Sequence, residues 1–411
     1  MNAIILISFL IEVGVLLYLE KKAWNTIYTP LSVLMLPYLI VLLITIIISG
    51  HFGFDKMCYP SILVWSVALL VFAIPSQYLG YSLQKNGKPY YAVMECPEMP
   101  PLLLWISVLV CLGLLFRFRQ AFGSSPFSIG TEEFTESFDG KGIWSHISRL
   151  NSIMLTVTIF FVDRKHRYLW IIILVQLALL VIHNVKGWIF VPVVAAMIMR
   201  LSVGKSKLTL RFVLFTVLGV IGVFIAVYLL ALVVGDNVTF NGQVVGFIFR
   251  HVIHYLTSGI LGFSTDMLNG FPDRGDFELN IAQFVNIVKA LTGDHDYLST
   301  INPLYYNTGF NLTNVRTMFG TIFINSNYVS FVLTVFVISC VINLVQVLSI
   351  RHNGLYANLI LSYFCSLLFM GWFDNFFSQL ATIEVPGWIL ALWLADRLIH
   401  KKDLETEVMT I

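Results

Sequence analysis

The segment LSVLMLPYLIVLLITIIIS, residues 31–49, has no charged side chain. About 20 apolar residues in an α-helix are enough to span the hydrocarbon core of a bilayer. The whole chain has this character, since 58% of its 411 residues are hydrophobic, 12% are charged and its mean hydropathy is +0.83. So little charge does not cover a water-soluble surface of this size. The sequence therefore predicts an all-α, polytopic integral membrane protein.

The same length criterion predicts about eleven membrane-spanning helices. They fall near residues 2–19, 31–49, 61–83, 101–116, 148–162, 168–183, 188–203, 209–234, 321–349, 355–372 and 385–398. The first span has no basic region before it and no small-residue cleavage site after it, so we interpret it as a retained helix.

Lysine and arginine are concentrated in alternate short loops, a bias that marks the cytoplasmic side of a membrane. These loops include Lys21 with Lys22, the cluster at 164–167, and Arg397 with Lys401. The bias predicts that the N-terminus lies outside the cytoplasm and the C-terminus inside. The chain then divides into a bundle at 1–234 with an outer loop at 116–146, a large outer loop at 235–320, and three helices with a cytoplasmic tail at 321–411.

The large outer loop contains two stretches of helical character. Residues 240–263 are apolar enough to be a rival span, but burying Arg250 at mid-bilayer would cost at least about 2.5 kcal/mol. We therefore expect an interfacial or re-entrant helix there. Further on, Ile281, Val285 and Val288 recur at helical spacing, which predicts a short amphipathic helix lying on the membrane.

The basic residues predicted on the outer side include many arginines. A guanidinium group binds phosphate oxygens in bidentate fashion and keeps its charge in a dry site. For a single arginine, pairing with a carboxylate or a lipid headgroup is the expected state. As a set on the outer side, they favour binding of a lipid-linked phosphate or pyrophosphate. The candidate phosphate-binding residues are Arg149, Lys186, Arg250, Arg274 and Arg316.

Two residues of the large loop are candidates for proton transfer. His254 shares a helix face with Arg250, four positions earlier, and could accept a proton from a sugar hydroxyl. The alternative is that His254 is an interfacial polar anchor beside Tyr255. Asp276, one of several loop carboxylates, is the other candidate base, although its surroundings are equally typical of a solvated turn.

Several function classes lack any sequence support. No phosphate-binding loop, dinucleotide fingerprint or zinc motif is present, and the five cysteines give no disulfide or metal framework. We therefore expect no cofactor, no metal and no nucleic-acid partner.

Three stretches resemble the O-antigen and oligosaccharide repeat-unit polymerases (the Wzy family). In RHVIHYLTSGILGFSTDMLN, residues 250–269, Tyr255 precedes a short apolar and glycine-containing run. The passage NVRTMFGTIFINSNYV, residues 314–329, resembles the segment with which such polymerases re-enter the membrane. Lys186 and Gly187 occupy a position where those proteins often carry an arginine. Lysine at position 186 departs from that pattern.

The resemblance implies an inner-membrane glycosyltransferase with a fold like that of GT-C-type membrane glycosyltransferases. Such an enzyme moves a growing glycan from undecaprenyl pyrophosphate to the next lipid-linked repeat unit at the periplasmic face of a bacterium. Membrane lipids and a chain-length regulator are the implied partners. His254 and Asp276 would then be the catalytic candidates, with Tyr255 and the basic residues holding the substrate.

Two other functions stay open on the sequence. A flippase or transporter of a lipid-linked oligosaccharide would need charged or broken segments near the bilayer midplane, and Glu12 is the main charge there. An O-antigen ligase, which moves a finished glycan to a lipid core, would use similar chemistry.

Overall fold

A computed structural model describes residues 2–85, 98–124, 134, 137–138, 142–182, 186–207, 209, 219, 222, 225, 242–271 and 275–409. The main helices of the described residues are α1 (Asn2–Trp24), α2 (Pro30–Ile48), α3 (Ser61–Lys85), α4 (Pro101–Ser124), α5 (Ile143–Phe161), α6 (Leu169–Ile182), α7 (Lys186–Ser202), α8 (Gly242–Leu268), α9 (Ala282–Thr292), α10 (Met318–Ile324), α11 (Tyr328–His352), α12 (Leu355–Phe369) and α13 (Ala381–Met409). Strands β1 (Tyr306–Asn307) and β2 (Leu312–Thr313) form an antiparallel hairpin, and single 3-10 turns occupy Phe277–Ile281, Met370–Trp372 and Phe376–Ser378.

Six segments of the described chain are long and apolar enough to cross a membrane. They are Asn2–Trp24, Pro30–Ile48, Ser61–Gln84, Pro101–Gly123, Tyr328–His352 and Leu355–Trp372. Large apolar side chains point outward from them, and Ile4 and Ile11 of α1 are 69% and 62% exposed. Such a surface is stable against lipid rather than water. The all-α prediction is confirmed, with the architecture of a polytopic membrane protein.

Nine of the eleven predicted spans each coincide with one helix, among them the shorter apolar helices α6 and α7. The predicted span at 209–234 lies almost wholly outside the described residues. Eleven crossings are therefore not shown. Helix length and hydropathy support six candidate spans among the described residues.

The predicted boundary of the span at 321–349 is wrong. The chain forms two helices there, α10 and α11, separated by residues 325–327. The side-chain oxygen of Asn327 accepts the backbone N–H of Ser330 at 2.8 Å, so it begins α11 as a helix cap. The apolar run continues through the break, which is why the sequence alone suggested a single helix.

The segment 235–320 was predicted as a large outer loop, but its described part contains two long helical stretches. Helix α8 is continuous over 27 residues, about 40 Å at 1.5 Å per residue. Its interfacial or re-entrant placement stays a prediction. The amphipathic pattern near residue 281 is confirmed as helix α9, which ends at Gly293 in the left-handed conformation, with φ of 76°.

The chain forms two compact units. Unit 1 comprises residues 1–92, 249–352 and 364–382, and unit 2 comprises 93–248, 353–363 and 383–411. The sequence predicted three consecutive segments, divided at residues 234 and 320, and this division stays a prediction.

In unit 1, helix α3 packs against both α1 and α11. The ring of Trp65 stacks on Tyr38 with centroids 3.5 Å apart, and its indole N–H donates to the Thr317 hydroxyl at 3.1 Å. On α11, the Ser339 hydroxyl donates to the Phe72 carbonyl oxygen at 2.6 Å. These two polar groups between the helices of unit 1 therefore have protein partners, as is expected where water is excluded.

In unit 2, helix α5 packs against α4, α6 and α7. The Thr156 hydroxyl donates to the carbonyl oxygen of Pro192 at 3.1 Å, which links α5 to α7. Arg200 donates from one guanidinium nitrogen to three carbonyl oxygens at the C-terminal end of α5, at 2.9–3.0 Å. A cation that satisfies the last carbonyls of a helix also stabilises its dipole.

Helix α8 lies unusually close to two irregular segments of unit 1. A Cβ atom at Gly262 would come within 3.0 Å of the Val315 carbonyl oxygen, and one at Gly259 would meet the Phe373 carbonyl oxygen as closely. Glycine is required at both positions because backbone occupies the space of a side chain. The glycine-containing run of the sequence is thus a packing surface.

We expect Gly262→Ala to destabilise the protein by about 1–3 kcal/mol, since the added methyl forces the two backbones apart. Gly246→Ala is a matched control on the same helix, where a Cβ would meet no atom within 4 Å. That change should be neutral or stabilising by up to about 1 kcal/mol. Thermal unfolding of the detergent-solubilised proteins measures both, and equal unfolding temperatures for the two variants would contradict the close packing.

Candidate lipid-phosphate site

Arg149 lies at a small apolar hollow in unit 2. Its guanidinium carbon is 4.3 Å from the ring centroid of Trp188 on α7, a cation–π contact. The hollow is lined by Arg149, Ser152, Ile153, Thr156, Trp188, Val191, Pro192, Leu359, Tyr363, Val385 and Ile389. Helices α5, α7, α12 and α13 supply these residues, so the hollow exists only in the folded unit.

The polar groups in this hollow leave the charge of Arg149 available. Thr156 already donates to carbonyl oxygens of Ser152 and Pro192, both at 3.1 Å. Within the described part of the chain, Arg149 forms no ion pair with a carboxylate. The hollow therefore offers one cation beside an apolar lining, a combination that suits a phosphate attached to a hydrocarbon chain.

A histidine and a glutamate lie next to the same hollow. His146 is one turn before Arg149 on α5, and its Nδ1 is 2.6 Å from Oε1 of Glu384 at the start of α13. The indole N–H of Trp388 also donates to Glu384 Oε1, at 3.4 Å. The His146 side chain is 47% exposed and that of Glu384 14%. The histidine is thus the more exposed partner of the pair.

Arg316, in unit 1, is already neutralised. Its Nε donates to Asp266 Oδ2 and its second terminal nitrogen donates to Asp266 Oδ1 at 3.3 Å, with both side chains 3% exposed. The guanidinium also lies 4.7 Å from the ring of Tyr306. A buried charge held in this way is costly to release. Arg316 therefore links α8 to the segment before α10.

Asp374, also in unit 1, lies near Arg316 and Thr321. Burial raises the pKa of this carboxyl to about 6, although hydrogen bonds from Asn375 N–H and the Thr321 hydroxyl and the charge of Arg316 lower it in turn. The Thr321 hydroxyl is 2.9 Å from Asp374 Oδ1. Because the carboxyl is mainly ionised at neutral pH, it adds a second negative charge beside Arg316.

His254 is buried, and both of its ring nitrogens contact the β1–β2 hairpin. Nε2 lies 3.2 Å from the Leu312 carbonyl oxygen, and Nδ1 lies 3.3 Å from the Thr308 hydroxyl. The carbonyl accepts only an N–H, so Nε2 carries a proton here. His254 fastens the hairpin to α8, and its catalytic role stays a prediction.

The other predicted residues occupy separate places. Arg250 is exposed on α8, with its guanidinium 5.9 Å from the Phe310 ring, and Tyr255 stacks on Phe373 at 4.4 Å. Asp276 is exposed just before a 3-10 turn. Lys186 begins α7, but its side chain lies outside the described residues, as does all of Arg274.

Sequence reasoning missed His146, Glu384 and Trp188. His146 and Glu384 are 238 positions apart, so no motif joins them. The available signal was the isolated Glu384 at the start of the last apolar stretch, because an acid in such a place needs a partner.

These observations define a multi-pass helical membrane protein with an arginine at an apolar hollow. The chain belongs to DUF6337, described as a family of unknown function, whose sequence profile matches residues 53–402. Searches of curated proteins and of solved structures found no match.

We expect Asp266→Asn to destabilise the protein by about 3–5 kcal/mol, because it leaves the buried Arg316 guanidinium without its anion. Asp276→Asn is the control, since that exposed carboxylate makes no ion pair with a described residue, and its effect should stay within about 0.5 kcal/mol. Thermal unfolding in detergent tests both. If Asp266→Asn unfolded at the temperature of the control, the ion pair would not hold this region together.

Proposed function

We propose that the protein is a polysaccharide polymerase of the bacterial inner membrane. It would transfer a growing glycan from undecaprenyl pyrophosphate to the next lipid-linked repeat unit at the periplasmic face. The observation that carries this proposal is Arg149 on the Trp188 ring beside an apolar hollow. The three resembling stretches and the multi-pass architecture support the same function.

The reaction places its main demand on the leaving group. Breaking the sugar–oxygen bond puts negative charge on the departing pyrophosphate, and a fixed cation in a dry site stabilises that charge strongly. Arg149 is suited to this task because it forms no direct ion pair with a described carboxylate. The apolar lining of this small hollow would offer a contact surface to the first part of the prenyl chain.

The proposal includes the predicted topology. Eleven spans are predicted from the lengths of the apolar runs, and a periplasmic N-terminus and a cytoplasmic C-terminus from the distribution of basic residues. In unit 1, Arg250, Tyr255 and Arg274 stay candidates for contact with substrate. Lys186 is a separate candidate in unit 2. A chain-length regulator is the proposed protein partner.

We expect Arg149→Gln to leave the protein folded while elongation falls by about 10²–10³, the usual cost of losing a donor to developing charge. Arg149→Lys keeps the charge without the planar fork and should be intermediate. Each variant is expressed in a strain that lacks the natural gene, and glycan length is read on gels. The variant should leave glycans with a single repeat unit.

Arg119→Gln is the matched control for this experiment, because Arg119 is an exposed arginine of the same unit, on α4. It should support long chains. Long chains in Arg149→Gln as well would contradict the proposal. A deletion strain with no surface glycan at all would indicate a flippase or a ligase.

One observation favours the transporter alternative. Glu20 of α1 is fully buried; one of its oxygens accepts from the Ser76 hydroxyl at 3.0 Å, and the other has no partner among the described residues. Ionisable groups inside membrane spans often belong to ion or substrate pathways. The outcome of the deletion experiment separates this function from polymerisation.

We also propose that α9 lies in the membrane interface. Phe284, Val288 and Leu291 form one stripe along it and are 55%, 58% and 82% exposed. The preceding turn is fixed to the start of a span, since the Asn280 side chain donates to the Ser326 hydroxyl at 2.8 Å, two residues before α11. This contact holds the helix at the level where α11 meets water, so lipid can cover the apolar stripe.

We expect a spin label on Leu291→Cys to be more accessible to oxygen than to a water-soluble nickel complex, because oxygen concentrates in lipid. The experiment uses protein without its native cysteines, in lipid nanodiscs. Ala290→Cys is the control, since Ala290 is exposed on another side of the same helix and should favour the nickel complex. Equal accessibility at the two positions would exclude an interfacial α9.

A further inference from the structure

The contact between His146 and Glu384 fixes the state of the imidazole ring. An ionised carboxylate can only accept a hydrogen bond, so Glu384 Oε1 holds the proton on Nδ1 of His146, at 2.6 Å. The other nitrogen, Nε2, is then the one with a free lone pair. Within the described part of the chain, no hydrogen bond engages Nε2, and the side chain is about half exposed.

Glu384 is itself held in position. The indole N–H of Trp388, one turn later on α13, donates to the same carboxylate oxygen at 3.4 Å. A base oriented by a second group that is fixed in turn is the arrangement found around activated nucleophiles. By contrast, His254 has both ring nitrogens engaged by the hairpin.

The pair also lies beside the proposed lipid-phosphate site. His146 precedes Arg149 by three positions and so shares its face of α5, while Glu384 directly precedes Val385, which lines the hollow. An acceptor sugar held next to a pyrophosphate on Arg149 would therefore meet the exposed edge of the imidazole ring.

Resting on the proposed function, we infer that His146 Nε2 accepts the proton of the acceptor hydroxyl during glycosyl transfer and that Glu384 is its positioning residue. The hydroxyl oxygen forms a bond to the anomeric carbon of the donor. The bond from that carbon to the pyrophosphate oxygen breaks, and its electron pair leaves with undecaprenyl pyrophosphate. The hydroxyl proton moves to Nε2, and water later removes it.

The test uses the full-length protein in nanodiscs with undecaprenyl-pyrophosphate-linked repeat units. His146→Ala should lower the rate of elongation by 10²–10⁴, the range for loss of a general base. The amount of radiolabelled undecaprenyl pyrophosphate that His146→Ala retains should change less than about twofold, because the proposed phosphate-binding residue, Arg149, is still present. Added imidazole should restore part of the rate to His146→Ala, which a merely structural residue would not allow.

Glu384→Gln provides the second variant. The amide preserves size and Trp388 contact but removes the charge that fixes the tautomer, so the rate should fall and its dependence on pH should change. His166→Ala is the control, because His166 forms a similar pair with Asp163, at 2.9 Å, in the loop between α5 and α6. Its elongation rate should equal that of the natural protein.

The outcomes separate the two levels of the proposal. An unchanged rate in His146→Ala, with elongation lost in Arg149→Gln, would overturn the role of His146 and leave the polymerase function standing. The role of His146 would also be overturned if His146→Ala lost both the elongation rate and the retention of undecaprenyl pyrophosphate, and if imidazole restored neither. Full elongation by both His146→Ala and Arg149→Gln would refute the polymerase site itself.

Discussion

The hydrocarbon core of a membrane offers no water, so every polar group within a span must find its partner inside the protein. Several polar groups of the described spans meet this constraint through short side-chain contacts to backbone oxygens, such as Ser339 to Phe72 and Thr156 to Pro192. The outward faces of the helices can then be wholly apolar. Among the described charged residues, Arg200 lies at a helix end, Arg316 in an irregular segment before α10 and Arg149 at the apolar hollow, whereas Glu20 is buried within α1.

The arginines show how this constraint sorts residues of one type into different states. Arg200 donates to carbonyl oxygens at a helix end, Arg316 is bound to Asp266, and Arg149 rests on the ring of Trp188. In the first two states the donors are used within the protein. Only the third leaves the guanidinium edge able to bind a phosphate. Whether an arginine can bind a phosphate therefore depends on which residues surround its guanidinium group in the folded protein.

The two longer stretches that resemble repeat-unit polymerases meet in unit 1. Glycines of α8 lie directly against the backbone near Val315 and Phe373, and Asp266 at the end of the same helix binds Arg316. Physically, the glycine run and the following arginine belong to one packing arrangement. This packing arrangement requires both stretches for the fold, independently of any contact with substrate. The resemblance of the two stretches to a family therefore does not by itself identify the reacting residues.

The sequence by itself determined the class of the molecule and most of its helices, because uncharged runs of membrane length have few other stable states. It also predicted helix α9 from periodicity. It did not reveal the break between α10 and α11, since three polar residues within an apolar run change mean hydropathy little and act through caps. Nor did it show which arginine stays available or that His146 meets Glu384. Those facts depend on distant segments brought within hydrogen-bonding distance, and only the tertiary structure decided them.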